Sequence, residues 1–136
     1  MKTVVDSWAW VELFKGSASG KKAKEQMERS DEVFTPSLVL AELARKYSGE
    51  GEEPATVRRW LQTVIEATQV VQIDVGLAEE SARASMQLVE KARKEGLEKP
   101  GLGDAIVLAT AKVSRVRVLT GDPHFGGLSE TLWVGD

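Results

Sequence analysis

Asp6, Glu42, Asp104 and Asp122 are the residues of this chain whose type and placement could do chemistry. Asp6 ends the run Thr3-Val4-Val5 and precedes Ser7-Trp8-Ala9-Trp10. Glu42 is the only polar side chain in "LVLAELA", residues 38–44. Asp104 sits in "GLGDAIVLATA" and Asp122 in "VLTGDPHF". The chain has fifteen Glu but only six Asp, and four of the six (Asp6, Asp74, Asp104, Asp122) lie at the edge of an apolar run. Aspartate is short and rigid, suited to caps, turns and metal ligation. If the four acids converge they repel, and several cannot ionise without cations. Hard divalent ions such as Mg²⁺ take carboxylates, water and phosphate oxygens as ligands. Two such ions can activate a water and stabilise the leaving oxygen of a phosphodiester.

Each acid also has a plainer reading. Asp6 suits the cap of a helix starting at Ser7, where free N–H groups and the helix dipole favour an anion. Glu42 can pair with Arg45 or Lys46. Otherwise a buried carboxylate there costs roughly several kcal/mol unless a cation or donor meets it. Asp104 can cap the helix that follows it, after a turn permitted by Gly101 and Gly103. Asp122 can be a turn residue before Pro123. Asp74 opens a long amphipathic stretch and is read as a cap only. His124 could act as a base or bind phosphate, but is read as shaping its loop with Phe125 as anchor. Arg45, Lys46, Arg58 and Arg59 are candidates for contacts to a phosphate backbone, but each reads more readily as a solvated helix position. Trp8, Trp10 and Trp60 read as core or dimer-contact residues rather than base-stacking ones.

The elements that must position these acids follow from pattern. "TVV" reads as a buried strand and "SWAWVELFK" as a helix stopped by Gly16. Residues 19–30 form a polar amphipathic helix, and "EVFT" a short strand. "TPSLVLAELARKYSG" is a helix in which Thr35 can cap and Pro36 suits the first turn. "ATVRRWLQTVIEA" carries apolar residues at helical spacing, and "QVVQI" is a strand over 69–73. Residues 74–96 form a long helix. "AIVLATAKV" is apolar nearly all round, which predicts a central buried helix. "VRVLT" and "TLWV" close the chain as strands on either side of the loop "GDPHFGGL".

Strands alternating with helices predict an α/β fold with a mainly parallel sheet and right-handed crossovers. No repeat or linker divides residues 1–136, which read as a single domain. In such sheets the working site lies beyond the carboxyl ends of the strands. Asp6 follows the first strand and Asp122 follows "VRVLT" by one glycine, so both are expected on one edge.

Composition excludes several classes. With no cysteine the chain has no disulfide, thiolate metal site or Cys nucleophile, and a single histidine argues against a multi-His zinc site. The net charge of −3 argues against binding nucleic acid by bulk electrostatics, leaving local basic patches or bound cations. No segment has the length of a membrane span or the apolar core of a signal peptide, so a soluble, cytoplasmic protein is expected. A P-loop is missing. An aspartate-based phosphotransferase would need a second acid where Trp8 stands. A phosphoacceptor receiver domain would need an early acidic pair and would leave Glu42 unexplained.

"VVDSWAW", "SLVLAEL", "GLGDAIVLATA" and "VLTGDPHF" resemble, in order and spacing, the motifs of PIN-domain nucleases, and the length suits the VapC-type toxins of toxin–antitoxin pairs. The resemblance implies a three-layer PIN-like fold, a central mainly parallel sheet flanked by helices. It also implies a Mg²⁺- or Mn²⁺-dependent endoribonuclease. Position by position, Asp6, Glu42 and Asp104 match the core metal-binding acids and Asp122 the more variable fourth. Thr120 matches the small hydroxyl residue before that fourth acid, and Ser7 the polar residue after the first Asp, where many relatives carry Asn or Thr. The resemblance further implies a homodimer and inhibition by a small antitoxin whose C-terminal segment covers the pocket. The competing reading is a PIN-like module that binds RNA or a protein without cutting.

Overall fold

The computed structural model describes residues 1–136. Its centre is β1 (Lys2–Val5), whose Val4 and Val5 are fully buried. Each face of this strand lies under helices, which is why its sequence is apolar without alternation. Asp6 ends the strand by capping α1 (Ser7–Lys15): its Oδ1 accepts the Ala9 N–H at 2.9 Å, and Gly16 closes the helix in the left-handed conformation. α2 (Ala18–Arg29) leads to β2 (Glu32–Pro36), then α3 (Ser37–Gly49), α4 (Pro54–Ala67) and β3 (Gln69–Val71). α5 (Val75–Glu95) and α6 (Leu102–Ser114) return the chain to β4 (Arg117–Thr120), and a 3₁₀ turn (Pro123–Phe125) precedes β5 (Thr131–Trp133).

All four strand pairings are parallel, in the order β3-β2-β1-β4-β5. Val4 lies opposite both Phe34 and Val118. The chain runs outward from β1 through β2 to β3, then crosses back to β4 on the other side. The switch point therefore falls between β1 and β4, and a crevice opens there beyond the carboxyl ends of the strands. A core of 22 buried residues fills the layers, with Ala105–Ala111 of α6 buried along their whole length. The parallel sheet and the buried last long helix agree with the sequence.

Three local expectations are corrected. Thr35 does not cap α3: it lies in β2, and its hydroxyl accepts from the Trp10 indole N–H at 3.2 Å and pairs with Thr68 at 2.8 Å. A buried strand hydroxyl is better satisfied by those partners than by a helix start where Pro36 already fixes the backbone. The third strand stops at Val71, leaving Ile73 45 % exposed; at the sheet edge nothing covers a longer strand. α6 begins at Leu102, so Asp104 is its third helical residue rather than its cap, and its Oδ2 accepts the Gly101 N–H at 3.2 Å.

The tryptophans divide. Trp10 is buried, while Trp60 is half-buried and stacks on Phe14 with centroids 5.6 Å apart. Trp8 is half-buried and lies flat on Gly121, where a Cβ would come within 2.3 Å of the indole. No helix is long and apolar enough to cross a membrane.

Candidate functional site

Asp6 is carried to the crevice by the end of β1 and Asp122 by the end of β4. Between them Thr120 acts as a clasp. Its hydroxyl accepts the Asp122 backbone N–H at 3.0 Å and donates to the Asp6 Oδ2. The N–H occupies one lone pair of the hydroxyl and leaves its single proton free to point at Asp6. Asp6 is thus held by the Ala9 amide on one oxygen and Thr120 on the other.

α6 brings Asp104 to the same edge. Carboxylate oxygens of Asp104 and Asp122 and a ring nitrogen of His124 lie within 4.8 Å of one another. Glu42 arrives from α3. Its carboxylate lies against the Gly103 Cα: a Cβ there would be 2.4 Å from Glu42 Oε2. Glycine at 103 is what lets the two helices place Glu42 beside Asp104. Glu42 is half-buried rather than in the core, because α3 buries the stripe Val39, Leu43 and Tyr47 and Glu42 borders it. Ser7, at the start of α1, lies beside Glu42 and favours its charged form. The expected pairing partners go elsewhere: Lys46 bridges to Glu50, while Arg45 acts on Glu42 only through its field.

The electrostatics follow from this crowding. Burial raises the pKa of Asp6 to about 7 against the pull of Thr120 and Ala9, and the fields of Asp122 and Asp104 add to the rise. Burial and the neighbouring Asp104 raise Glu42. Burial and Asp122 raise Asp104. Three of the four acids are therefore pushed towards the neutral form, by desolvation first and by one another second. Oxygen donors from four side chains, mutually repelling and short of cationic partners, suit a hard divalent cation. Asp104, Asp122 and His124 have ligand atoms close enough together to share one ion; Asp6 and Glu42 border that group, within reach of its field.

His124 is the residue whose place in this cluster the sequence did not reveal. Its Nδ1 meets Asp122 Oδ1 and its Nε2 meets the Glu98 carbonyl, both at 2.9 Å. Burial works to lower its pKa, but the Glu98 carbonyl and the Asp122 carboxylate outweigh it and raise the value. His124 does shape the loop, tying it to the segment before α6, and Phe125 beside it is fully buried. The adjacency to Asp122 in sequence was the available signal; the contact with Glu98 was not visible there.

Ser7, Trp8, Glu42, Arg45, Lys46 and Asp122 line a cleft of about 380 Å³ leading to the acids. Arg58 and Arg59 line a different depression on α4, with Pro54 and Gln62. The structure thus separates the basic residues proposed from sequence into two groups. Asp74 keeps to its cap, accepting the Leu77 N–H at 2.8 Å.

A 3-2-1-4-5 parallel sheet with an acidic crevice at its switch point defines a three-layer α/β protein. The chain belongs to the PIN domain family, whose model matches residues 3–130. Solved structures share the fold. A toxin–antitoxin complex from Klebsiella pneumoniae matches at 20 % identity with a TM-score of 0.73, covering 98 % of each chain. VapBC-1 from nontypeable Haemophilus influenzae matches at 16 % identity and 0.71, over 98 % of this chain and 96 % of its own. A Mycobacterium tuberculosis VapC described as a sarcin–ricin-loop-cleaving toxin matches at 18 % and 0.66, over 95 % and 98 %. No curated protein matches the sequence.

Proposed function

We propose that the chain is a divalent-metal-dependent endoribonuclease, the toxin of a toxin–antitoxin pair. The observation that carries this reading is the burial of Asp6 beside Asp104 and Asp122, with its pKa raised to about 7, in a chain of the PIN family. A silent binding module gains nothing from acids that destabilise its own fold. A cation-binding site needs them.

Asp6, Glu42, Asp104 and Asp122 would hold Mg²⁺ or Mn²⁺. A bound divalent ion lowers the pKa of an attacking water and offsets the charge developing on the phosphate. The remaining roles belong to the chain. Thr120 fixes the two acids of β1 and β4 relative to each other, and Ser7 beside Glu42 favours its charged form. His124 holds Asp122 in place by bridging it to the Glu98 carbonyl. Arg45 and Lys46, on the wall of the cleft, offer donors to the RNA backbone beside the scissile phosphate.

The similarity to toxin–antitoxin complexes supports an antitoxin partner, which would cover the crevice, and the similarity to a sarcin–ricin-loop-cleaving toxin supports RNA as substrate. A homodimer is part of the same reading. The test is cleavage of a mixed RNA pool by protein freed of any co-purified inhibitor. Cutting that needs added Mg²⁺ or Mn²⁺ and stops with chelator supports the reading. No cutting by well-folded protein in either metal moves it to the binding module.

A further inference from the structure

The largest cleft in the chain, about 570 Å³, lies at the opposite edge of the sheet from the acids. Lys2, Lys112, Arg115 and Arg117 line it, against one carboxylate, Glu130. Lys2 and Arg117 are the first residues of β1 and β4, and Lys112 and Arg115 stand at the end of α6. In a chain of net charge −3 this is a local concentration of cations. Lys2 is paired with Glu32 at 2.7 Å and Lys112 with Glu130 at 3.3 Å. Arg115 and Arg117 are exposed and pair with no carboxylate.

The backbone supplies an independent observation. Arg115 closes α6 at φ 56° and is the only non-glycine residue with positive φ. α1 and α5 close in the same conformation on Gly16 and Gly96, both at φ 69°. Glycine takes this conformation freely, whereas a side chain is strained in it. An arginine standing where the fold favours glycine points to a use for its guanidinium beyond the fold.

We propose that this cleft is a phosphate-backbone site that holds single-stranded RNA at a distance from the acids; the assignment to RNA rests on the function proposed above. Each unpaired guanidinium presents a fork of N–H donors that matches phosphate oxygens. β1 and β4 have four residues each, so at about 3.3 Å per residue roughly 13 Å of strand separates the two edges. A stacked trinucleotide bound at the acids, about 10 Å long at 3.4 Å per nucleotide, falls short of the cleft, and a strand of some twenty nucleotides reaches it.

The test uses the full chain and the variants Arg115→Gly, Arg117→Gln and both together. Arg115→Gly removes the guanidinium and relieves the strained backbone, so its melting temperature should not fall. Binding of a fluorescent RNA 20-mer is measured in chelator at several salt concentrations, and cleavage of a trinucleotide in Mg²⁺. The double variant should bind the 20-mer at least tenfold more weakly, and the slope of log K against log salt should shrink by about 1.4, for two lost contacts to a single strand. Trinucleotide cleavage should be unchanged. Unchanged 20-mer affinity and slope overturn the proposal, as does wild type that binds duplex DNA more tightly than the RNA. Arginine-dependent binding by a wild type that never cleaves keeps the cleft and removes the nuclease. Cleavage with arginine-independent binding does the reverse.

Discussion

The Thr120 hydroxyl donates to the buried carboxylate of Asp6 while accepting the backbone N–H of Asp122. One side chain thus joins the ends of β1 and β4 across the switch point of the sheet. Thr120→Val keeps the shape and removes the link. Leaving an oxygen of the buried Asp6 carboxyl without its partner should lower stability by about 1–3 kcal/mol. RNA cleavage should fall as well, since Asp6 loses its partner. Chemical denaturation alongside a cleavage assay checks both; unchanged cleavage would deny Thr120 a positioning role.

Gly103→Ala tests how Glu42 reaches the cluster. The new methyl would meet Glu42 Oε2 at 2.4 Å, and the flexible side chain is what must move. Alanine inside a helix adds roughly 0.5–1 kcal/mol over glycine, so stability should hold or rise. A misplacement of about 1 Å in a reacting site can cost on the order of 100-fold, so cleavage should fall by roughly 10–100-fold. Melting temperature and initial rate, measured on one preparation, separate the two effects.

The stability of the metal-free chain should fall as pH rises from about 4 to 7. Asp6 keeps its proton in the folded state up to about pH 7, but only to its ordinary value of 3.8 when unfolded. Between those values the folded state binds more protons, so raising the pH favours unfolding, by up to about 4 kcal/mol for a shift of this size. Glu42 and Asp104, also raised, act in the same direction. Asp6→Asn should flatten the slope without losing the helix start, because an Asn oxygen can still cap α1 at Ala9. Urea denaturation at pH 5 and pH 8 with chelator reads this. A steeper loss in the variant than in wild type would contradict it.

Stabilisation by Mg²⁺ should grow over the same pH range. Protons and the cation compete for Asp6, Glu42 and Asp104, so the Mg²⁺-induced rise in melting temperature should be small at pH 5 and larger at pH 8. Thermal melts with and without 5–10 mM Mg²⁺, about a working excess for such a site, give the comparison. A shift independent of pH would place the ion away from these acids.

Much of this was legible in the sequence, for identifiable reasons. Val4 and Val5 mark a strand buried on both faces, and Asp6 marks its end, because apolar runs and caps are local signals. The order of "VVDSWAW" and "VLTGDPHF" put Asp6 and Asp122 on one edge once a parallel sheet was assumed. What escaped depends on contacts between distant segments. Thr35 looks like a cap from sequence because its tertiary partners, Trp10 and Thr68, lie far along the chain. The fit of Glu42 against Gly103 joins two helices, and a sequence shows only a glycine before an acid. His124 was placed by the Glu98 carbonyl, 26 residues away, and a backbone atom leaves no trace in residue type. Ile73 continued the pattern of a strand whose end is set by what covers it.

The most direct measurement compares wild type with Asp104→Asn in RNA cleavage with Mg²⁺, with Mn²⁺ and with chelator, beside a thermal melt of each. Asp104 lies within 4.8 Å of donor atoms on Asp122 and His124, and burial and Asp122 raise its pKa. Removing its charge relieves repulsion, so the variant should melt at the wild-type temperature or above it. The expected result is metal-dependent cleavage by wild type and its loss in a folded variant, by more than the roughly 10–100-fold typical of groups outside a metal's direct ligands. A folded Asp104→Asn that cleaves RNA as fast as wild type would contradict the assignment of these acids to the reaction.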